Sequence, residues 1–277
     1  MSKTVLCVVG VDQSDDDLNY AINFCEGIGA HLSAFVVSYS PPLPMGEYGL
    51  AASDIWAQDR QESMEKLAAR VAIIEAIMAK AGVSADVESA YSDANWLGED
   101  IARRAMYSDI TLLGAGLNNN DAFDTTVVDG TLFGARNPIL VVPAGAKLSP
   151  LPKRVMIAWD SRVEASRAVH EALDLLVRAE EVHVILVDPQ ALTDKNGSEP
   201  GADIAAYLAR HGINVTVERL PSAGHSVSDV LRQHAIDMTA DMIVMGAYGH
   251  SRLRERIFGG VTKSMIDKPP LPLFMAR

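Results

Sequence analysis

Cysteine, positive charge and long apolar runs are all in short supply in this 277-residue chain, and each shortage excludes something. The two cysteines, Cys7 and Cys25, lie in apolar surroundings in the first half, which fits buried thiols in a reducing compartment and gives no disulfide framework. No stretch approaches the ~20 apolar residues of a membrane-spanning helix. The first apolar run, residues 5–11, gives way to Asp12, Asp15, Asp16 and Asp17 without a small-residue cleavage site, so no membrane or secretory segment is expected and the expected compartment is the cytoplasm. Lys and Arg total 24 against 36 Asp and Glu, a net charge of −12, and such a chain lacks the basic footprint that phosphate-backbone binding demands, so nucleic acid is not an expected partner. Familiar nucleotide-enzyme signatures are missing too. There is no G-x4-G-K-(S/T) run for a P-loop, and the loops after the first strand-like runs read DQSDDD and DSRVEAS where a dinucleotide fold would need G-x-G-x-x-G. Neither an S-G-G-x-D-S loop nor an H-x-G-H motif occurs. His211, His225, His234 and His250 have neither the spacing nor the accompanying ligands of a zinc site.

What is present is ordinary globular composition, 48% hydrophobic and 22% charged, over a length that suggests two domains. Charge is unevenly divided: residues 1–150 carry 9 basic against 20 acidic side chains, residues 151–277 carry 15 against 16. The division coincides with a degenerate internal repeat. TVLCVVGVD (4–12) matches KRVMIAWD (153–160), with Asp12 over Asp160; AGVSADVE (81–88) matches HGINVTVE (211–218); SDITLLGAG (108–116) matches ADMIVMGAY (240–248). The offset falls from 148 to 130 between the first two matches, so the first copy holds 18 extra residues between its second and third strands. LSPLPK (148–153), with two prolines, reads as the linker between modules at 1–147 and 153–277.

In the second module, strands are expected near 154–159, 182–187, 213–219, 242–245 and 271–275, with helices over 164–179 and 226–237. Met242, Met245 and Met265 fall on apolar segments and read as core. Five strands joined by helical crossovers make an α/β fold, each module a parallel sheet with helices on both faces. The apolar last strands of the two modules, near 139–142 and 271–275, would be exposed edges if left unpaired, so they are expected to pair with each other, with the nitrogen of Pro272 facing away from the partner. Ligands of such sheets sit beyond the carboxyl ends of the strands, where the winding direction reverses. The stretch after the fourth strand, MGAYGHSRLRERIFGGVT (245–262), is the most informative in the chain. Gly246 and Gly249 permit close approach to the backbone, Gly259 and Gly260 open a helix near Val261, and Thr262 adds a hydroxyl. Arg252, Arg254 and Arg256 make this stretch cationic, with Arg252 and Arg256 on one side if it is helical. The matching stretch of the first module, 114–134, carries Asp121, Asp124 and Asp129 and no Lys or Arg, so an anion is expected in the second module alone.

The order Gly246-x2-Gly249-x9-Gly259-Gly260-Val261-Thr262 resembles the G-x2-G-x9-G-(S/T) nucleotide motif of the universal stress protein family. The strand-1 aspartates Asp12 and Asp160, the SRA triplet at 166–168 and the paired modules are similar too, so the chain resembles a tandem member of that family over nearly its whole length. The resemblance implies a sheet order of 3-2-1-4-5, modules packed through their last strands, and a stress-response regulatory role, with an unknown protein partner and further homodimerisation left open. It implies ATP or a related adenine nucleotide, with or without an accompanying Mg ion, in the second module. Asp160 would approach the ribose, Val187 the adenine, and Gly246, Gly249, Gly259, Gly260, Val261, Thr262 and Arg252 the phosphates. Gly260 departs from the family pattern, standing where a Ser or Thr hydroxyl is usual. On the residues alone, the glycines also suit a turn and Asp160 suits a turn or helix cap, a role its recurrence at Asp12 favours. A nucleotide-free interaction scaffold therefore stays open, as does a slow ATPase, although no general base is evident.

Overall fold

Apolar strand runs and amphipathic stretches alternate as an α/β architecture in a computed structural model that describes residues 3–40, 49–93, 96–114, 121–143, 145–146, 149, 151–189, 199–247 and 260–277. The chain divides into two compact units, Ser2–Asn137 and Pro138–Arg277. In the first, β1 (Thr4–Gly10), α1 (Asp16–Ile28), β2 (His31–Ser40), α2 (Gly49–Met78), β3 (Ala85–Asp93), α3 (Leu97–Ala105), β4 (Ile110–Leu113) and α4 (Asp121–Asp129) follow one another, α4 running on into a π-helical turn at Gly130–Ala135. Strands β3, β2, β1 and β4 lie side by side in that order, all parallel. The second unit holds β5 (Ile139–Val141), β6 (Arg154–Ala158), α5 (Val163–Glu171), α6 (Leu173–Leu176), β7 (Glu181–Val187), α7 (Ala202–Arg210), β8 (Val215–Leu220), α8 (Val227–Asp237), β9 (Met242–Gly246), α9 (Val261–Asp267) and β10 (Leu273–Ala276). Here β8, β7, β6, β9 and β10 form a parallel sheet with the order 3-2-1-4-5, the order that β3, β2, β1 and β4 repeat in the first unit.

Burial follows position in the sheet. Central strands β1, β4, β9 and β10 are buried along nearly their whole length because helices cover both faces, whereas the outer β3 (ADVESAYSD) and β8 (VTVERL) alternate between half-buried and exposed. One repeated device registers the first strand of each unit. Asp109 Oδ2 accepts from the backbone N–H groups of Lys3 and Thr4 at 2.5 and 2.9 Å, and Asp241 Oδ2 accepts from those of Lys153 and Arg154 at 2.8 and 2.9 Å. The two aspartates occupy matching places in the sequence repeat, and each also donates its own N–H to the strand it clamps, to Thr4 O and Arg154 O. The extra residues of the first copy go into α2, 30 residues long against 9 for α7. Its buried stripe is narrow, Leu67, Arg70, Ile74 and Met78. No helix among the described residues is long and apolar enough to cross a membrane.

Two local features differ from the sequence expectation. The helix expected over 164–179 is broken into α5 and α6 at Ala172, whose ψ of −2° and the tight Leu175 N–H to Ala172 O bond close a single turn before the chain resumes. The strand expected to start at Leu271 begins at Leu273, because Pro272 contributes only its carbonyl, which accepts from Ile243 N at 2.9 Å. The buried thiols lie as expected, and burial pushes Cys25 up to about 12 and raises Cys7 as well, with Asp17 adding to the effect.

Within the second unit β5 and β10 pair antiparallel, Val141 opposite Leu273, Leu140 opposite Phe274 and Ile139 opposite Met275. All six side chains are buried, so the ladder removes from water two apolar edges that would otherwise template aggregation. Val141→Lys is expected to lower stability by at least ~2 kcal/mol, through lost apolar burial and an uncompensated ammonium. It should also accelerate amide exchange across Leu273–Ala276. Unchanged protection of those amides would mean that β9 alone holds β10.

Candidate functional site

Strand β6 is the branch point of the second unit: the chain passes to β7 on one flank and returns to β9 on the other. The connections leaving β6 and β9 therefore diverge, opening a crevice at the carboxyl ends of the strands. Asp160 lies in the loop from β6 to α5, Val187 ends β7 and Gly246 ends β9, so the three come to one edge of the sheet. Gly260, Val261 and Thr262 enter α9, the connection between β9 and β10. Gly249, Gly259, Arg252, Arg254 and Arg256 lie outside the described residues.

Asp160 shapes its own turn. Its Oδ1 accepts from Arg162 N at 3.1 Å, its Oδ2 lies 3.5 Å from Arg162 Nε, and Ser161 between them takes a left-handed φ of 60°. The carboxylate is 55% exposed, so it keeps lone pairs available to outside donors. Val187 is half-buried, and its backbone faces a gap. Trp159 N donates to Ile185 O across to β6, whereas Asp188 N donates to Leu220 O on the opposite, β8 side. Because a strand's N–H and C=O groups alternate sides residue by residue, those of Val187 point toward β6, beyond the place where β6 has turned away at Asp160. No backbone partner meets them among the described residues.

Gly246 has a packing reason to be glycine. A Cβ there would stand 2.5 Å from both Ala165 N and Glu164 C in the first turn of α5. The matching Gly114 of the first unit is pressed in the same way against the side chain of Asp17. Gly260 needs no glycine for its backbone: its φ of −69° and ψ of 166° suit any residue, and it precedes α9 without a side-chain cap. Ser226, with φ −69° and ψ 149°, holds the same conformation before α8 and accepts from Asp229 N at 3.1 Å, as its sequence position suggests. Thr262 is buried, with 7% exposure.

Two side chains that sequence reasoning missed hold α9 and the end of β7. Arg232 of α8 donates through Nε to Lys268 O at 3.0 Å and through Nη2 to Ser264 Oγ at 2.7 Å and Ser264 O, tying α9 to α8. Asp188 follows Val187 with a left-handed φ of 47°, and Ser222 N donates to its Oδ1 at 2.9 Å. The Ser222 hydroxyl and N–H together hold the Asp188 carboxyl below the ordinary aspartate range. The sequence signal for Arg232 was an ordinary Asp-Arg pair on a helix face, and that for Asp188 was a polar residue after a strand; neither names a partner more than 30 residues away.

The corresponding edge of the first unit is closed by its own side chains. Asp17, 1% exposed, fills the space over Gly114, and Arg70 reaches from α2 to donate to Asp15 Oδ1 at 2.6 Å and Ser14 O at 3.3 Å. Asp15, Asp16 and Asp17 crowd the start of α1 with negative charge. The second-unit edge presents an exposed carboxylate and, among the described residues, a backbone donor and acceptor pair. Among the described residues no group of three or more His, Cys, Asp or Glu is placed to hold a metal ion.

Residues 152–277 match the model of the Universal stress protein family. A curated universal stress protein of Synechocystis is 27% identical over 146 residues, 50% of this chain and 47% of that protein, so the chain spans about half the length of the relative it matches. A universal stress protein from Archaeoglobus fulgidus DSM 4304 has a similar fold, with a TM-score of 0.67 at 17% identity, covering 98% of this chain and 96% of that one. A putative universal stress protein from Pseudomonas aeruginosa UCBPP-PA14 follows at 0.59 and 16%, covering 99% and 92%.

The packing account of Gly246 is directly testable. Gly246→Ala is expected to cost about 1–3 kcal/mol in urea denaturation, the usual range for forcing a methyl group into a filled space. An unaltered midpoint would show that α5 does not press on the end of β9.

Proposed function

We propose that this chain, whose residues 152–277 match the universal stress protein family, is a regulatory protein that binds one adenine nucleotide, ATP or a close relative, at the carboxyl edge of its second unit. The observation that carries this reading is the N–H and C=O of Val187, which face the edge beside Asp160 and meet no backbone partner among the described residues. An N–H donor next to a C=O acceptor complements the N1 and N6 positions of adenine, while the corresponding edge of guanine presents the opposite order. The exposed Asp160 carboxylate suits ribose hydroxyls, and the glycine-rich segment from Gly246 to Gly260 suits phosphates that need close backbone approach. An accompanying Mg ion would be held by the phosphates and water. Protein partners and a cytoplasmic location belong to the same proposal.

A nucleotide-free scaffold is the second reading, and one observation favours it. Gly246 and Gly114 are both accounted for by contacts within their own units, so half of the G-x2-G pair needs no ligand to explain it.

Calorimetric titration with ATP separates the two. One nucleotide per chain is expected, since Asp15, Asp16, Asp17 and the buried contact of Asp17 with Gly114 oppose a phosphate in the first unit. Gly260→Ser should tighten binding by about 0.5–1.5 kcal/mol, the net worth of one hydrogen bond, because the backbone at 260 already has the conformation that Ser226 uses. Absence of binding would leave the scaffold, and two equivalent sites would remove the asymmetry.

A further inference from the structure

The strand end that faces the crevice is held by a lock of its own. Left-handed φ is uncommon for a residue with a side chain and persists only where the surroundings enforce it. At Asp188, with φ 47°, the enforcement comes from β8: Asp188 N donates to Leu220 O at 2.9 Å, and Asp188 Oδ1 accepts from Ser222 N at 2.9 Å. Both bonds cross to the side away from the crevice. The first holds the peptide that joins Val187 to Asp188, which carries the Val187 carbonyl, and the second holds the left-handed φ that goes with that orientation of the peptide. Nothing on the β6 side holds this carbonyl among the described residues, since the ladder between β6 and β7 stops at the bond from Trp159 N to Ile185 O. Its direction is therefore set from behind.

We infer that Asp188 is the positioning residue for base selection: its side-chain bond to Ser222 and its left-handed backbone aim the Val187 carbonyl into the crevice, so that an adenine edge is matched and a guanine edge is refused. The inference rests on the nucleotide reading above and adds a determinant of specificity to it. Without the lock, the peptide can rotate toward an ordinary extended conformation, turning the acceptor away from the position of the adenine amino group while leaving the phosphate-binding segment untouched. Asp188 is a positioning residue with no assigned contact to the ligand. Truncating it should change which base is bound, leaving the grip on a polyphosphate as it was.

The test compares ATP, GTP and inorganic tripolyphosphate on the full chain by calorimetry, for the parent, Asp188→Ala and Asp188→Asn. Asp188→Ala is expected to weaken ATP about tenfold, the equivalent of one well-placed hydrogen bond, and to bring the ATP to GTP ratio close to one, with tripolyphosphate binding unchanged. Asp188→Asn retains an acceptor for Ser222 N and should stay within about twofold of the parent. A purely structural role would lower the melting temperature without moving the ratio, and an unmoved ratio overturns the inference. If Asp188→Ala fails to fold, Asp188→Gly removes the same bond to Ser222 N while tolerating the left-handed φ, and should shift the ratio in the same direction; no shift overturns the inference. A parent protein that binds tripolyphosphate but not ATP in preference to GTP also overturns it, whereas a parent that binds none of the three overturns the nucleotide reading itself.

Discussion

Parallel pairing of β6 with β7 on one flank and β9 on the other is the constraint on which the remaining geometry depends. Parallel neighbours cannot be joined by a tight turn, so each junction needs a crossover, and the crossovers leaving the adjacent strands β6 and β9 run to opposite flanks, which separates them at the carboxyl end of β6. The opening at that end exposes backbone groups that a continuous ladder would have consumed. Val187 is the clearest case, a residue in an otherwise paired strand whose amide and carbonyl face the space that β6 vacates. Asp160, Gly246 and the entry to α9 are brought to the same edge by the same topology.

Both units are built on this plan, and they have spent it differently. The first unit repeats the strand order and the aspartate clamp on its first strand, with Asp109 serving as Asp241 does in the second. At its carboxyl edge it puts a buried carboxylate, Asp17, against Gly114, which follows β4, and brings Arg70 in from the lengthened α2 to pair with Asp15. The second unit has Ala165 at the place of Asp17, and its glycine meets helix backbone. One buried aspartate and an arginine from the longer α2 fill this edge of the first unit.

Much of this was legible in the sequence because it is local or periodic. The strands near 154–159, 182–187 and 242–245 announced themselves as apolar runs, and Ser226 announced a helix start, since capping needs only a hydroxyl a few residues from its partner. The pairing of β5 with β10 followed from the cost of leaving apolar edges open. Gly246 shows where reading along the chain falls short: its motif spacing drew attention to a ligand, while the contact that requires a glycine comes from Glu164 and Ala165, about 80 residues earlier. Arg232 and Asp188 were illegible for the same reason, because their partners are distant in sequence and nothing in a lone Arg or Asp says which carbonyl or N–H it will meet. The break at Ala172 turns on a single ψ angle that helical periodicity does not report.

Hydrogen–deuterium exchange on the full chain, with and without ATP, tests the central claim most directly, because it reports each edge separately. The account predicts slower exchange in the peptides holding Asp160, Val187 and Asp188, and the segment from Gly246 to Thr262, with no change around Asp15, Arg70 and Gly114. Protection confined to the first unit, or no protection anywhere at saturating ATP, would contradict it.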